Sequence, residues 1–287
     1  MEPPGRLDAC VLDDGRTLEM WEGGDLTGSP VVVHPGTPGS RLSGRHLHAA
    51  AVAAGVRLVV PSRPGYGGSS PAPPGLALVA DDTLALADAL GLRRFAVLGT
   101  SGGGPYALAT GCRAPARVTC VGVLAGPADL PTEDDPQDPA GAEARLRDEA
   151  AAVFDPLLAL TDEAMVEGFL SLVPAGPTSH TGDEHFTRYW ADDLRESLRS
   201  PDGFARDNLS WGLGWDVDAA TLQRPCLLWY GDADEMVPPE HGAWLAGQVG
   251  GSRLTRLPGA GHAATIFDHL PDVFAALLEH RPTGSER

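Results

Sequence analysis

This 287-residue sequence predicts an α/β fold: a mostly parallel sheet flanked by helices, with a helical insert after the sixth strand. Three observations carry the prediction. Short apolar, β-branched runs alternate with helix-period segments, the pattern of parallel strands joined by right-handed crossovers. The rhythm stops between Gly126 and Cys226, where four helical segments follow one another without a strand. At Phe95–Ala107 an apolar run, a glycine-rich turn and an Ala/Leu-rich helical pattern abut, reading F-A-V-L-G-T-S-G-G-G-P-Y-A.

In chain order, Leu7–Leu12 and Leu18–Glu22 flank the turn Asp13-Asp14-Gly15-Arg16 and read as an antiparallel hairpin. Val31–His34 is a short buried strand, Ser40–Ala54 a helix ending at Gly55, and Arg57–Pro61 the next strand. Leu76–Leu90 has apolar residues at helical spacing and stops at Gly91; strand Phe95–Leu98, helix Pro105–Gly111 and strand Val118–Leu124 follow. Pro127–Ala140 is acidic and proline-rich, which suits an exposed linker. Glu143–Phe154, Asp162–Leu172, Asp183–Leu198 and Asp202–Trp211 then read as helices. The alternation resumes with strands Cys226–Tyr230 and Leu254–Leu257 and closes with helix Pro271–Glu279.

Composition narrows the function. At 43% hydrophobic residues the chain can bury one large core, and no apolar run approaches the roughly 20 residues of a membrane span. The start, Met1-Glu2-Pro3-Pro4-Gly5-Arg6, lacks the basic and apolar segments of a signal peptide, so a cytoplasmic protein is expected. A net charge of -18 argues against nucleic acid or an anionic membrane as partner. There is no lysine, which excludes a Walker-type phosphate loop and Schiff-base chemistry, since both need that amine. Cys10, Cys112, Cys120 and Cys226 form no C-x-x-C pair and read as free thiols rather than metal ligands.

The turn after Phe95–Leu98 carries G-x-S-x-G, with Ser101 between Gly99 and Gly103. A serine at such an apex must take a strained backbone, and small residues two places either side let strand and helix close on it. A helix N-terminus behind it favours developing negative charge. The competing pattern, a dinucleotide fingerprint on Gly102-x-Gly104-x-x-Ala107, wants an acidic residue closing the next strand, which here ends in Ala125-Gly126-Pro127. No cofactor is therefore expected. In its strand–turn–helix setting the motif resembles the nucleophile elbow of the α/β-hydrolase superfamily, and the resemblance covers the core from Leu18 to Glu279.

A serine hydroxyl attacks only when a base takes its proton, and the base needs an orienting carboxylate. The resemblance implies the chain order Ser, acid, His. Strand Cys226–Tyr230 runs into Gly231-Asp232-Ala233-Asp234-Glu235; the superfamily places its acid in such a G-x-x-D turn, so the resemblance implies Asp234, with Asp232, Glu235 and the more distant Asp129 as alternatives. After Leu254–Leu257, the glycine-flanked His262 holds the superfamily's place for the base, while His46, His48, His241 and His269 fall in helical patterns. The oxyanion donors implied are the N–H groups of Gly102 and of Thr37, in the loop His34-Pro35-Gly36-Thr37-Pro38-Gly39. That loop resembles the superfamily's H-G-x-P, except that Pro35 precedes the glycine and the histidine has moved back to His34, so its hold on the loop is open. Arg63-Pro64-Gly65-Tyr66-Gly67-Gly68-Ser69 matches a second superfamily turn, read as structural, with Tyr66 near the pocket.

The resemblance implies a core of residues 1–126 and 222–287 and a helical cap, or lid, of residues 127–221. Eight of the seventeen aromatic residues lie in that insert, where they either line an apolar pocket or form the insert's own core; Trp211 and Trp215 are the pocket candidates. The expected activity is cofactor-free serine hydrolysis of a small to medium carboxylic ester or lactone with an apolar part. The alternatives are a C–C bond hydrolase, amidase, peptidase, acyl transferase or cyclase on the same triad, or a non-catalytic ligand-binding protein. Oligomeric state leaves no mark in the sequence.

Overall fold

The computed structural model describes residues 4–130, 138–172 and 176–281. Eight strands form one sheet: β1 (Arg6–Val11), β2 (Thr17–Gly24), β3 (Ser29–His34), β4 (Val56–Pro61), β5 (Phe95–Thr100), β6 (Val118–Leu124), β7 (Cys226–Gly231) and β8 (Arg253–Leu257). Their order is β1-β2-β4-β3-β5-β6-β7-β8. The β1–β2 hairpin is antiparallel, as is β2 against β4, and every pairing from β4 onward is parallel. The hairpin turns where expected: Gly15 takes φ 85°, and its N–H donates to the Leu12 carbonyl at 2.9 Å.

Helices cover both faces. One face packs on α2 (Leu76–Ala89), α3 (Gly104–Arg113) and α8 (Pro239–Gln248) through Leu86, Leu108 and Leu245. The other packs on α1 (Gly44–Ala54) and α10 (Leu270–Leu278) through Leu47, Ala51, Phe274 and Leu277. Between them β5 and β6 are buried along their whole length, which accounts for their unbroken apolar sequences. Cys120 and Cys226 are buried free thiols; Cys10 and Cys112 are free and half-buried.

Some boundaries differ from the sequence reading. The helix expected over Ser40–Ala54 is split into a 3₁₀ turn, Arg41–Ser43, and α1. α1 begins at Gly44 because a Cβ there would lie 2.3 Å from the Trp21 ring, so only glycine lets the helix lie on that indole. Helices α8 and α9 (His262–Phe267) are additional, and His262 is the first residue of α9 rather than part of a loop. Residues 131–137 of the expected linker lie outside the described residues.

Between β6 and β7 come α4 (Pro139–Leu158), α5 (Asp162–Leu172), α6 (Glu184–Ser197) and α7 (Asp202–Gly212), with no strand among the described residues. The insert has its own small core of Phe154, Met165, Phe169 and Leu194, with Trp190 and Phe204 against it. Polar side chains join it to the sheet domain. The Ser40 amide and hydroxyl donate to Asp193 Oδ1 (2.8 and 2.5 Å), Arg41 pairs with Glu196 (3.0 Å) and Arg45 with Asp192 (2.6 Å).

Candidate active site

Strand order fixes where a site can form. The chain passes from β3 to β4 on one side and from β4 back to β5 on the other, so the loops at the carboxyl ends of β3 and β5 diverge and leave a crevice. The β3 loop carries Thr37 and the β5 loop carries Ser101.

Ser101 follows the last residue of β5 and has φ 49°, a left-handed conformation that a side chain makes costly. The turn is closed by backbone. A Cβ on Gly103 would stand 2.1 Å from the His34 carbonyl oxygen, and one on Gly102 would stand 2.4 Å from Thr37 Oγ1. The elbow is therefore wedged against the β3 loop, with the start of α3 behind it.

Ser101 Oγ lies 2.9 Å from His262 Nε2, and His262 Nδ1 lies 2.7 Å from Asp234 Oδ2. The Asp234 side chain is fully buried; its other oxygen accepts from the Met236 and Val237 amides, both at 2.9 Å. An ionised carboxylate can only accept, so His262 carries its proton on Nδ1 and turns the Nε2 lone pair to the serine hydroxyl. The neighbouring acids are placed differently. Asp232 and Glu235 are exposed, Asp232 accepting from the Gly259 amide at 2.5 Å, and Asp129 makes no bond to His262.

Thr37 and Gly102 face each other across the elbow, and Gly36, Thr37, Ser101 and His262 share one cavity of about 110 Å³. Phe169 of α5, Trp190 of α6, Met236, Ile266 and Phe267 form its apolar walls. His46 also lines it, ringed by Phe186 (4.5 Å between centroids), Phe267 (5.4 Å) and Trp190 (6.0 Å). Burial, helped by the charges of His180 and Arg45, pulls its pKa to about 3, so His46 is neutral, and its Nδ1 has no hydrogen-bond partner among the described residues. A larger recess of about 380 Å³, lined by Arg93, Arg94 and Arg281, opens at the amino ends of β3 and β5, across the sheet from Ser101.

The three pocket candidates do not line the cavity at Ser101. Tyr66 is wholly buried, its hydroxyl 2.8 Å from Asp207 Oδ2. Trp211 and Trp215 pack over α2 and α3 with Leu76, Val79 and Tyr106. The chain leaves α7 along α2, where Asp216 accepts from the Leu76 and Ala77 amides, so proximity in sequence to β7 carries these indoles away from the carboxyl end of β5.

Two residues that sequence reasoning left unassigned control the β3 loop. Arg63, 1% exposed, donates to the Pro35 carbonyl (2.6 Å) and the Gly36 carbonyl (2.8 Å) and forms a two-point ion pair with Asp207 of α7 (3.0 and 2.5 Å). Asp207 also accepts from Thr37 Oγ1 (2.6 Å) and Tyr106 (2.7 Å). Burial, and after it the Asp207 charge, pushes both tyrosine pKa values well up, keeping the phenols as donors. His34 turns away from the loop to within 3.4 Å of Thr83 and 3.5 Å of Thr110; burial, then the Arg63 charge, pulls its pKa to about 3. The displaced histidine is thus replaced as loop anchor by an arginine. Its only sequence signal was its place in the Arg63–Ser69 turn.

A family model for the alpha/beta hydrolase fold matches residues 29–268. The chain belongs to the α/β-hydrolase fold family. Among solved structures, this α/β-hydrolase is similar to an alpha/beta hydrolase fold protein from Nakamurella multipartita (25% identity, 96% of this chain and 97% of that one, TM-score 0.66). It also resembles an esterase from Thermogutta terrifontis (22%, 96% and 97%, TM-score 0.68) and the enol-lactonase from Burkholderia xenovorans (19%, 95% and 100%, TM-score 0.73). No match is found among curated proteins.

Proposed function

We propose that this α/β-hydrolase is a serine hydrolase that cleaves a small carboxylic ester or lactone through an acyl-enzyme. The observation that carries this reading is the unbroken chain from Ser101 Oγ through both nitrogens of His262 to the buried Asp234, opening into an apolar cavity. Ser101 Oγ attacks the carbonyl carbon as its proton passes to His262 Nε2, and the imidazolium that forms is stabilised by Asp234. The Thr37 and Gly102 amides donate to the carbonyl oxygen as it becomes an oxyanion. His262 then protonates the leaving alkoxide, and water, activated by the same nitrogen, hydrolyses the acyl-enzyme.

The insert acts as the cap. Residues 127–221 form it, residues 1–126 and 222–287 the core, and Phe169 and Trp190 close the cavity from the cap side. The cavity's size favours an acyl group smaller than an aromatic ring, since about 110 Å³ falls short of the roughly 150 Å³ of a cavity that holds benzene. The neutral His46 adds one polar contact at the far wall. Esterase and enol-lactonase relatives of the same fold suit this choice of bond.

The test is labelling with a fluorophosphonate, coupled to hydrolysis of 4-nitrophenyl esters of increasing acyl length. Wild-type protein should be labelled, Ser101→Ala should not, and turnover should fall sharply beyond short acyl groups. An unlabelled wild-type protein would overturn the nucleophile assignment.

A further inference from the structure

The buried pair Arg63–Asp207 has an arrangement that packing alone does not require. Asp207 sits on α7 of the insert, yet its five donors, the Arg63 Nε and Nη2, Thr37 Oγ1, Tyr66 and Tyr106, all come from the sheet domain. Two of these donor residues, Arg63 and Thr37, touch the β3 loop. The Gly36–Thr37 peptide is trans, so its C=O and N–H point in opposite directions within one plane. Arg63 Nη2 holds the Gly36 oxygen at 2.8 Å, and Nη1 holds the Pro35 oxygen at 2.6 Å. Fixing the Gly36 oxygen on the guanidinium therefore fixes the Thr37 N–H on the opposite side. The Thr37 hydroxyl, tied to Asp207 at 2.6 Å, removes the remaining rotation of that residue.

We infer that Asp207 is a positioning residue of the insert that aims the Thr37 oxyanion donor, acting through Arg63 and the Thr37 hydroxyl. The inference rests on the serine-hydrolase reading above and adds that the oxyanion hole is completed by the insert. Arg63 cannot do this alone. Without Asp207 its guanidinium would be a buried, unbalanced charge free to swing from the two carbonyls, and the planar two-point pair is what orients it. The oxyanion exists only in the transition state, so an error in aim lowers kcat and leaves KM almost unchanged.

The test compares Asp207→Asn and Thr37→Val with wild type in three measurements: kcat and KM on a short ester, the rate of fluorophosphonate labelling, and affinity for a boronic acid that forms a tetrahedral adduct on serine. Asp207→Asn should lower kcat and labelling rate by about ten- to a hundred-fold, below the roughly 10²–10³-fold cost of deleting a donor outright. Boronate affinity should fall in parallel, with KM changed less than about three-fold. Thr37→Val leaves the ion pair intact and tests the hydroxyl link if Asp207→Asn does not fold; it should show the same pattern, smaller, with Thr37→Ser restoring activity. A labelled wild type whose variants lose only thermal stability, or raise only KM, would overturn the inference and leave the triad standing. An inert wild type would overturn the triad and this inference together.

Discussion

Ser43 Oγ lies 2.7 Å from Asp193 Oδ2 and 2.9 Å from the Ser40 carbonyl oxygen, so one hydroxyl proton faces two acceptors. The contacts balance when Asp193 is protonated: its Oδ2–H donates to Ser43, and Ser43 donates to the carbonyl. Burial pushes the Asp193 pKa up to about 6, in the same direction.

A carboxyl whose folded pKa is raised contributes stability that is complete below its unfolded value and is lost as pH rises through about 6. Asp193→Asn keeps a neutral donor at that place. Relative to the variant, wild type should lose about 2 kcal/mol of unfolding free energy between pH 4 and pH 8, most of the worth of roughly two pKa units. Urea titrations at the two pH values check this, and parallel pH profiles for the two proteins would refute it.

Asp234 and Asp232 lie two residues apart and should behave oppositely. Asp234→Asn removes the acceptor that sets the His262 tautomer, and kcat should fall by about 10³- to 10⁴-fold. Asp232→Asn keeps an oxygen that accepts from the Gly259 amide and loses only the charge, and should change kcat by less than about two-fold, with stability lowered by about 1 kcal/mol or less. Steady-state kinetics on the two single variants decides the matter, and a large loss at Asp232 alone would reverse the assignment.

Gly103→Ala should break the elbow. The new methyl would stand 2.1 Å from the His34 carbonyl and 2.5 Å from that of Pro35, both backbone atoms that cannot swing aside. Loss of folded protein, or a melting temperature lowered by more than about 8 °C together with loss of labelling, is expected for a cost of several kcal/mol in a chain this size. A stable, labelled variant would mean that strand and helix can separate at the turn.

The sheet was legible because its buried strands are continuous apolar runs, and residues 226–230 and 254–257 each locate a loop that faces the serine. That Asp234, Ser101 and His262 would meet was legible for a related reason: each follows its own strand, and strand ends are fixed by the sheet. The cavity wall was not. Trp211 and Trp190 look alike in sequence, both tryptophans of the insert, and only the turn of α6 and α7 about their axes sends one to Ser101 and the other to α2. Asp207 was hidden too, since an aspartate in an acidic helix reads as a solvated face until its five donors are seen.

The joints between insert and core bear on how substrate reaches Ser101. Asp193, Glu196 and Asp207 tie α6 and α7 to the core through buried or nearly buried polar groups. Hinging these helices away would strip partners from two guanidinium groups and three carboxylates at once. Among the described residues, α4 and α5 instead direct their ionic contacts back into the insert, as in Arg147 to Asp202 and Asp162 to Arg195. On the serine-hydrolase reading proposed above, any opening for substrate is therefore expected at the α4–α5 hairpin beside Phe169 rather than at the Trp190 wall.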